Sequence, residues 1–175
     1  MIASPNYAYL IYDGDGSAFN LSGPSGSAEI EALFEDYYTS AGKTSNATAF
    51  DGRSDYGPFL DVGIASGGIF TGAEEPKTEE GQDIWGGVEE LAYDVYYHAA
   101  GDNIFNLALD AFWLNTKLIA HAVATYAQSF DSFPQPTSMT KRSAHLSKVK
   151  REAYNGAHGS HGHRHCNSKN EEPTR

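Results

Sequence analysis

Histidine is the residue type in this sequence best suited to metal binding or proton transfer, because its imidazole ring titrates near neutral pH. The sequence holds seven histidines. His98 and His121 are isolated, whereas four others share a nine-residue stretch near the end of the chain with its single cysteine: His158, His161, His163, His165 and Cys166. Such a cluster can bind zinc, nickel or copper. Its spacing matches no structural zinc site, so we interpret metal binding there as adventitious.

Arg53 and the glycine-rich stretch 63–72 are the next candidates for chemistry. Arg53 lies between Asp51 and Asp55, so on its own it predicts a loop arginine paired with one of these carboxylates. No Gly-Lys-Ser/Thr follows the glycines, which argues against a phosphate-binding loop. Tyr97 is one of eleven tyrosines, and taken alone it predicts a core aromatic residue.

Strands and helices alternate in the part of the chain that must position these residues. Residues 6–12 and 63–71 predict strands, and the glycines of the second indicate that other backbone approaches it closely. Four segments predict helices: 27–41, 55–62, 78–90 and 106–129. In the last of these, one broad apolar stripe is formed by Leu109, Phe112, Trp113, Thr116, Ile119, Val123 and Tyr126. The alternation indicates an α/β layer architecture.

Charge divides the chain into two parts. Residues 1–130 carry nineteen acidic and four basic residues, whereas residues 131–175 carry eight basic and four acidic ones. The acidic part argues against binding to a nucleic-acid backbone, and no apolar run is long enough to predict a membrane span. The basic part is rich in Ser, Gly, His and Asn. We therefore predict a folded domain over 1–130 and a disordered, His-rich tail over 131–175.

Three segments of the acidic part carry a family signature. Residues 50–59 read Phe-Asp-Gly-Arg-Ser-Asp-Tyr-Gly-Pro-Phe, residues 63–74 read Gly-Ile-Ala-Ser-Gly-Gly-Ile-Phe-Thr-Gly-Ala-Glu, and residues 97–103 read Tyr-His-Ala-Ala-Gly-Asp-Asn. In this order and spacing, together with the opening Met-Ile-Ala-Ser-Pro-Asn, they resemble the di-zinc aminopeptidases of the aminopeptidase Y and fungal leucine aminopeptidase group. The resemblance covers roughly residues 1–130.

The resemblance implies both a chemistry and a fold. Enzymes of this group remove single, preferably apolar, residues from the N-termini of peptides. A pair of zinc ions shares a bridging water, a glutamate activates that water, and the metal ions polarise the scissile carbonyl as Lewis acids. The implied fold is a three-layer mixed sheet flanked by helices, of which this chain would hold only a part.

Residue by residue, the resemblance assigns roles to a small set of side chains. His98 matches the last zinc ligand of the group. Tyr97 matches a tyrosine that hydrogen-bonds the oxyanion as it develops. Arg53 matches a position beside the amino end of the substrate, and Phe70 matches a wall of the pocket for the first side chain. Apart from the resemblance, the position of Asp102 four residues after His98 leads us to expect that its carboxylate orients the imidazole as a hydrogen-bond acceptor.

The resemblance also implies that most of the zinc site lies outside this sequence. Of the group's ligands, the chain matches only His98; the aspartate ligand that normally precedes the Met-Ile-Ala-Ser-Pro-Asn stretch would stand before Met1. A catalytic zinc takes about three protein ligands, so we expect the isolated chain to be inactive. The alternative is a non-catalytic remnant, or a metal- or partner-binding module that acts through the His-rich tail.

Two positions beside His98 differ from the usual pattern of the group. Its members usually carry cysteines on both sides of the Tyr-His pair, where this chain has Tyr96 and Gly101. Because the disulfide of that small loop is missing, we expect the loop to be less constrained.

The resemblance implies a secreted enzyme that acts on peptides. Two sequons, Asn20-Leu21-Ser22 and Asn46-Ala47-Thr48, would be glycosylation sites in the secretory pathway. The first residues show neither the basic region nor the apolar stretch of a signal peptide.

Overall fold

A computed structural model of the protein describes residues 1–131 together with residues 133 and 134. Almost all of the predicted tail, 131–175, lies outside the described residues with its histidine cluster, so its disorder stays a prediction. Within the described residues, three strands each precede a helix, and a fourth helix follows the third. The predicted α/β class is confirmed in this small form, while the larger three-layer sheet stays a prediction.

The sheet is mixed, as predicted. Its central strand β1, Leu10–Tyr12, pairs in parallel with β2, Asn46–Thr48, and antiparallel with β3, Ile69–Phe70. The resulting strand order is β2-β1-β3. Ile11 therefore sits at the centre of the sheet, opposite a residue of each neighbour.

Both predicted strands are correct in place but too long. Residues 6–12 contribute only β1, because the backbone before it bonds to loop carbonyls: the Asn6 N–H donates to Tyr93 O at 3.0 Å. Residues 63–71 contribute only β3. A Cβ added at Gly67 would collide with the Ile30 side chain, so a side chain, and not the backbone that the glycines led us to expect, approaches this glycine closely.

β2 is a strand that the sequence patterns do not predict. Asn-Ala-Thr carries little of the β-branched and aromatic content typical of strands. Hydrogen bonds from the chain on either side hold it in place: the Asn46 N–H donates to Tyr9 O at 3.0 Å, and the Asp13 N–H donates to Thr48 O at 2.8 Å. The strand therefore depends on the edge of β1 rather than on its own side chains.

All four predicted helices are present: α1, Ser27–Ser40; α2, Gly57–Asp61; α3, Glu79–Trp85; and α4, Leu109–Gln128. α3 is shorter than predicted because Gly86, at φ +72°, ends it. Its first turn is capped by the Thr78 hydroxyl, which accepts from the Gly81 N–H at 3.0 Å. None of the helices in the described residues combines the length and apolarity that crossing a membrane needs.

The main core lies between the sheet and the helices α1 and α4. A polar link crosses it: the hydroxyl of the fully buried Tyr38 donates to Asn115 Oδ1 at 2.7 Å, and Asn115 Nδ2 donates to Ile2 O at 2.9 Å. This link joins α1, α4 and the segment before β1. Around it pack buried side chains from these three parts and from the strands β1 and β3: Tyr9, Ile11, Phe34, Ile69, Ala111, Leu118 and Ala122.

A second, aromatic cluster lies on the opposite face of the sheet. Because side chains alternate along a strand, Tyr12 points away from the core that holds Ile11. The Tyr12 ring stacks on Phe50 with centroids 5.3 Å apart and meets Tyr56 edge-on at 4.6 Å. This cluster forms the floor on which the candidate site is built.

The predicted apolar stripe of α4 is real, but most of it does not face the core. Leu109, Trp113 and Val123 are 68%, 64% and 65% exposed. The face that packs against α1 and the sheet is instead the narrow row Ala111, Asn115, Leu118 and Ala122. The two alanines of this row let α4 approach its neighbours closely, whereas the bulkier residues of the apolar stripe lie to one side of the contact. Helical periodicity identified an apolar face but not which face is covered.

We predict that this outer face of α4, formed by Leu109, Phe112, Trp113, Ile119 and Val123, drives self-association of the chain. An exposed apolar patch of this kind is a site of association or aggregation. Trp113→Glu should lower the concentration-dependent mass seen by size-exclusion chromatography with light scattering. Ala124→Glu, which adds the same charge at an exposed α4 position outside the patch, is the control. Equal association of both variants would show that the patch is not responsible.

Candidate active site

A cavity of about 280 Å³ opens beside the C-terminal ends of β1 and β2. Its walls come from the two strand ends, from the loop after β2, from the segment after β3 and from the segment after α3. The lining is mixed aromatic and charged: Met1, Leu10, Tyr12, Thr48, Ala49, Asp51, Arg53, Ser54, Phe70, Gly72, Glu75, Tyr93 and Tyr97. Such a concave site with a few convergent polar groups is the usual form of a small-ligand pocket.

The structure brings three of the four residues singled out from the sequence to this one cavity. Arg53, Phe70 and Tyr97 come from different parts of the chain, and all line the wall. His98 follows Tyr97 directly, is exposed, and its ring centroid lies 4.1 Å from that of Tyr97. The roles of the four residues stay predictions, but their proximity is a property of the fold.

Arg53 is the basic side chain of the cavity wall, and three carboxylates lie close to its guanidinium. Its Nη2 lies 2.6 Å from Glu74 Oε1 and its Nη1 lies 2.9 Å from Glu75 Oε1. Its Nε lies farther, 4.0 Å, from Asp51 Oδ2. The hydrogen bond with Glu74 is the main reason that the pKa of Arg53 is raised. Desolvation opposes ionisation of Glu74, yet the Arg53 hydrogen bond and charge hold its pKa below the ordinary value.

Glu74 and Glu75 are site residues that the sequence patterns do not identify. Those patterns predict that Arg53 pairs with Asp51 or Asp55, its neighbours in sequence. The glutamates are more than twenty positions away in sequence and reach Arg53 only because the segment after β3 runs alongside the loop after β2. The adjacent Glu-Glu in a glycine-rich segment was the available signal, but a carboxylate pair is common on surfaces.

The loop that carries Arg53 is fixed by its own hydrogen bonds. Asp51 Oδ1 accepts from the Arg53 N–H at 2.9 Å and from the Tyr56 hydroxyl at 2.8 Å. The Tyr56 hydroxyl in turn accepts from the Gly52 N–H at 2.8 Å. Burial is the main cause of the raised pKa of Tyr56, and burial likewise raises the pKa of Tyr12 to about 12. Both phenols on this wall are therefore neutral hydrogen-bonding groups at physiological pH.

The opposite wall depends on Asn6, which is 7% exposed. Its Nδ2 donates to Val88 O at 2.8 Å and to Leu91 O at 3.0 Å, and its Oδ1 accepts from the Val88 N–H at 2.9 Å. The Asn6 N–H also donates to Tyr93 O at 3.0 Å. One side chain thereby holds the loop after α3 against the start of the chain.

Lys77 reinforces the same loop from inside. It is 2% exposed, and its Nζ donates to Tyr7 O at 2.8 Å and to Gly86 O at 2.7 Å. Desolvation lowers the pKa of this amine. The ammonium lies 5.8 Å from the ring centroids of Tyr7 and Tyr93, a distance at which a cation is attracted to an aromatic face. Tyr93, a cavity residue, is thus backed by a buried cation.

The turn that carries Tyr97 and His98 is closed by packing rather than by a disulfide. A Cβ at Gly101 would collide with the Tyr96 ring, so the ring lies directly on the glycine backbone. His98 has φ +55°, a left-handed conformation that is unfavourable for a residue with a side chain. The expectation of a less constrained loop stays a prediction, and in the structure the aromatic ring of Tyr96 occupies the space beside the glycine.

The suggested role of Asp102 finds no support in the geometry. Asp102 is exposed, and its N–H donates to Ala99 O at 3.1 Å. Within the described residues, its carboxylate makes no hydrogen bond to His98. His121, interpreted from sequence as a packing residue, is exposed on α4 with its ring centroid 5.3 Å from that of Tyr37.

The described residues do not contain a complete zinc site around His98. A catalytic zinc takes about three protein ligands, and His98 belongs to no such group within residues 1–131. A group of three carboxylates does occur at Asp13, Asp15 and Glu31, with oxygens within 4.8 Å of one another. The carboxylate oxygens of Asp13 and Glu31 accept hydrogen bonds from backbone N–H groups and thereby hold the loop after β1. The donors are Gly14, Asp15, Gly16, Ala18 and Phe19. None of the three lines the cavity.

The chain is similar to known proteins of one peptidase family. The model of peptidase family M28 matches residues 1–123. The chain is 58% identical to the probable leucine aminopeptidase 2 of Aspergillus fumigatus over 86% of its own length and 30% of that protein. It is 61% identical to the corresponding protein of Aspergillus oryzae, over 77% and 27% of the two lengths. It is 50% identical to leucine aminopeptidase 2 of Trichophyton rubrum, over 81% and 29%. The chain thus spans less than a third of these curated relatives.

The lowered pKa of Glu74 predicts a pH-dependent contribution to stability. A carboxylate whose pKa is depressed by folding stabilises the native state above its unfolded pKa of about 4.3, and that stability is lost as the pH falls through the folded pKa. Because Glu74 is half exposed, Glu74→Gln should lower the free energy of unfolding at pH 7 by at most about 1 kcal/mol.

Urea denaturation of Glu74→Gln and of the unsubstituted chain at pH 7 and pH 3 measures this difference. The gap should shrink at the lower pH, where the carboxylate becomes protonated. Glu89→Gln, at an exposed glutamate outside the Arg53 cluster, is the matched control. A gap for Glu74→Gln that is the same at both pH values would contradict the assignment.

Proposed function

The chain belongs to peptidase family M28, and we propose that it forms part of the active site of a secreted metalloaminopeptidase. The proposed reaction is release of N-terminal, preferably apolar, residues from peptides. The observation that carries the proposal is the convergence of Arg53, Phe70 and Tyr97 on one cavity. Several curated relatives are named leucine aminopeptidases, which agrees with this substrate class.

The charges of the cavity suit a substrate with a free amino end. Among the side chains of its lining, the two carboxylates of Asp51 and Glu75 stand against the single guanidinium of Arg53, so these side chains are acidic on balance. An acidic concave surface attracts a peptide N-terminal ammonium. An internal peptide segment has no N-terminal ammonium, and this difference favours binding of the N-terminal ends of peptides. Arg53, in this arrangement, orients the carboxylates that meet the ammonium.

The aromatic part of the wall suits an apolar first side chain. Phe70 and Tyr12 line the cavity with their rings stacked at a centroid distance of 6.3 Å. Burial of an apolar side chain against such rings is favourable by roughly 25 cal/mol for each Å² removed from water. The neutral Tyr12 phenol adds no charge that would repel leucine or phenylalanine.

Tyr97 and His98 are the residues proposed to act on the scissile bond. The Tyr97 hydroxyl would donate a hydrogen bond to the carbonyl oxygen as negative charge develops there, and such a contact strengthens in the transition state. His98 would supply one imidazole to a zinc ion. The remaining ligands and the group that activates water would come from polypeptide outside the described residues, so the chain alone provides substrate contacts without the complete reaction.

We predict that the isolated chain hydrolyses no leucine 4-nitroanilide, and that activity appears when the chain completes a relative. In the chimera, this chain replaces the matching stretch of the Aspergillus fumigatus leucine aminopeptidase 2. The chimera should hydrolyse the substrate, and His98→Ala should remove that activity. A chimera that folds but stays inactive would favour the alternative, a non-catalytic remnant. Zinc-dependent turnover by the isolated chain would contradict its proposed inactivity.

In the same chimera, Tyr97→Phe should lower kcat by roughly 10²-fold and leave KM nearly unchanged, because the hydroxyl acts only in the transition state. The matched control is Tyr96→Phe, which removes a hydroxyl one residue away and keeps the ring on Gly101. Steady-state kinetics of both variants separate the two effects. A Tyr97→Phe effect confined to KM would remove the oxyanion role.

A further inference from the structure

We propose that Asp94 is a positioning residue that sets the turn carrying Tyr97 and His98, an inference that rests on the function proposed above. Asp94 is 4% exposed, whereas the next two residues and His98 are exposed. Burial of a carboxylate is unfavourable unless hydrogen bonds replace its water. An acidic residue buried at the base of an exposed turn therefore points to a specific task for its oxygens.

The first set of contacts of Asp94 shapes the turn itself. Its Oδ1 accepts from the Tyr96 N–H at 2.9 Å, and its backbone oxygen accepts from the Tyr97 N–H at 3.2 Å. An aspartate that bonds the N–H two residues further on forms an Asx turn, which fixes the direction of the chain. Two successive N–H groups are thereby directed at Asp94, and Tyr97 and His98 follow directly in the chain.

The second set of contacts ties the turn to the rest of the fold. The Asp94 N–H donates to Ala73 O at 2.7 Å, next to the cavity residue Gly72. Asn106 Nδ2, from the segment before α4, donates to Asp94 Oδ1 at 2.9 Å. Within the described residues, no lysine, arginine or histidine forms an ion pair with Asp94. Its charge is balanced by amide donors alone, and a charged acceptor makes these bonds stronger than neutral ones.

The backbone of His98 is the reason that such an anchor is needed. At φ +55°, His98 occupies a region that residues with a side chain adopt only where the surroundings hold them there. The Tyr96 ring on Gly101 restrains the turn on one side, and Asp94 restrains it on the other. Without Asp94, the turn would relax, and Tyr97 would lose its fixed place on the cavity wall.

Amide hydrogen exchange of the full chain, followed by NMR, tests this directly. In Asp94→Ala, exchange at Tyr96 and Tyr97 should rise at least about tenfold, since the turn opens locally. The HN–Hα coupling of His98, which reports its φ angle, should change as well. Asp94→Asn retains an acceptor oxygen and should restore both signals. Asp102→Ala, at the exposed aspartate of the same segment, is the matched control.

The expected and the contradicting results are distinct. Unchanged exchange and coupling in Asp94→Ala, with the amides of the main core still protected, would overturn the proposal. If Asp94→Ala does not fold, Asn106→Leu removes only the outer donor to Oδ1 and should give a smaller rise at the same amides. No rise in that variant would overturn the proposal equally.

A kinetic readout separates positioning from general stability. In the leucine aminopeptidase chimera, Asp94→Ala should lower kcat per folded molecule and leave KM nearly unchanged, because Tyr97 acts in the transition state. Loss of folded protein with normal kcat per folded molecule would assign Asp94 a purely structural role. If the unsubstituted chimera is inactive, the proposed function fails, whereas the exchange experiment still decides whether Asp94 sets the turn.

Discussion

The buried amide of Asn6 is the interaction on which the candidate site depends most. Strands of two or three residues position little by themselves, so the loops around the cavity need other anchors. Asn6 donates and accepts at once with the loop after α3, and a Cβ at Gly87 would collide with its oxygen. A buried amide left without these partners would be costly. The wall that carries Tyr93 and Tyr97 is therefore held to the start of the chain by the hydrogen bonds of the buried Asn6 side chain.

The cavity combines this rigid wall with a second one that is held by charge. Arg53 meets Glu74 and Glu75 across the gap between two loops, and all three side chains are about half exposed. Exposed ion pairs of this kind contribute little to the free energy of unfolding. Their main effect is to orient the three side chains relative to one another. The result is a cavity with one wall fixed by buried polar groups and another formed by half-exposed, ion-paired side chains.

Local sequence patterns predicted the helices well and the strands and the packing poorly. α1 and α4 were predicted within a few residues because apolar spacing and end signals act within a few turns of a helix. β2 was missed, because Asn-Ala-Thr becomes a strand only beside Tyr9 and Asp13. The apolar stripe of α4 follows from its periodicity, but periodicity does not say which apolar face meets another element.

The sequence by itself determined where the helices lie, because helical spacing and end signals act over a short range. Its resemblance to a family predicts that Arg53, Phe70, Tyr97 and His98 belong to one site. Only the tertiary structure decided that Arg53 pairs with Glu74 and Glu75 rather than with Asp55, and that Ala111 and Leu118 of α4 are covered. Those outcomes depend on burial and on hydrogen bonds between residues far apart in sequence, and no local pattern encodes such contacts.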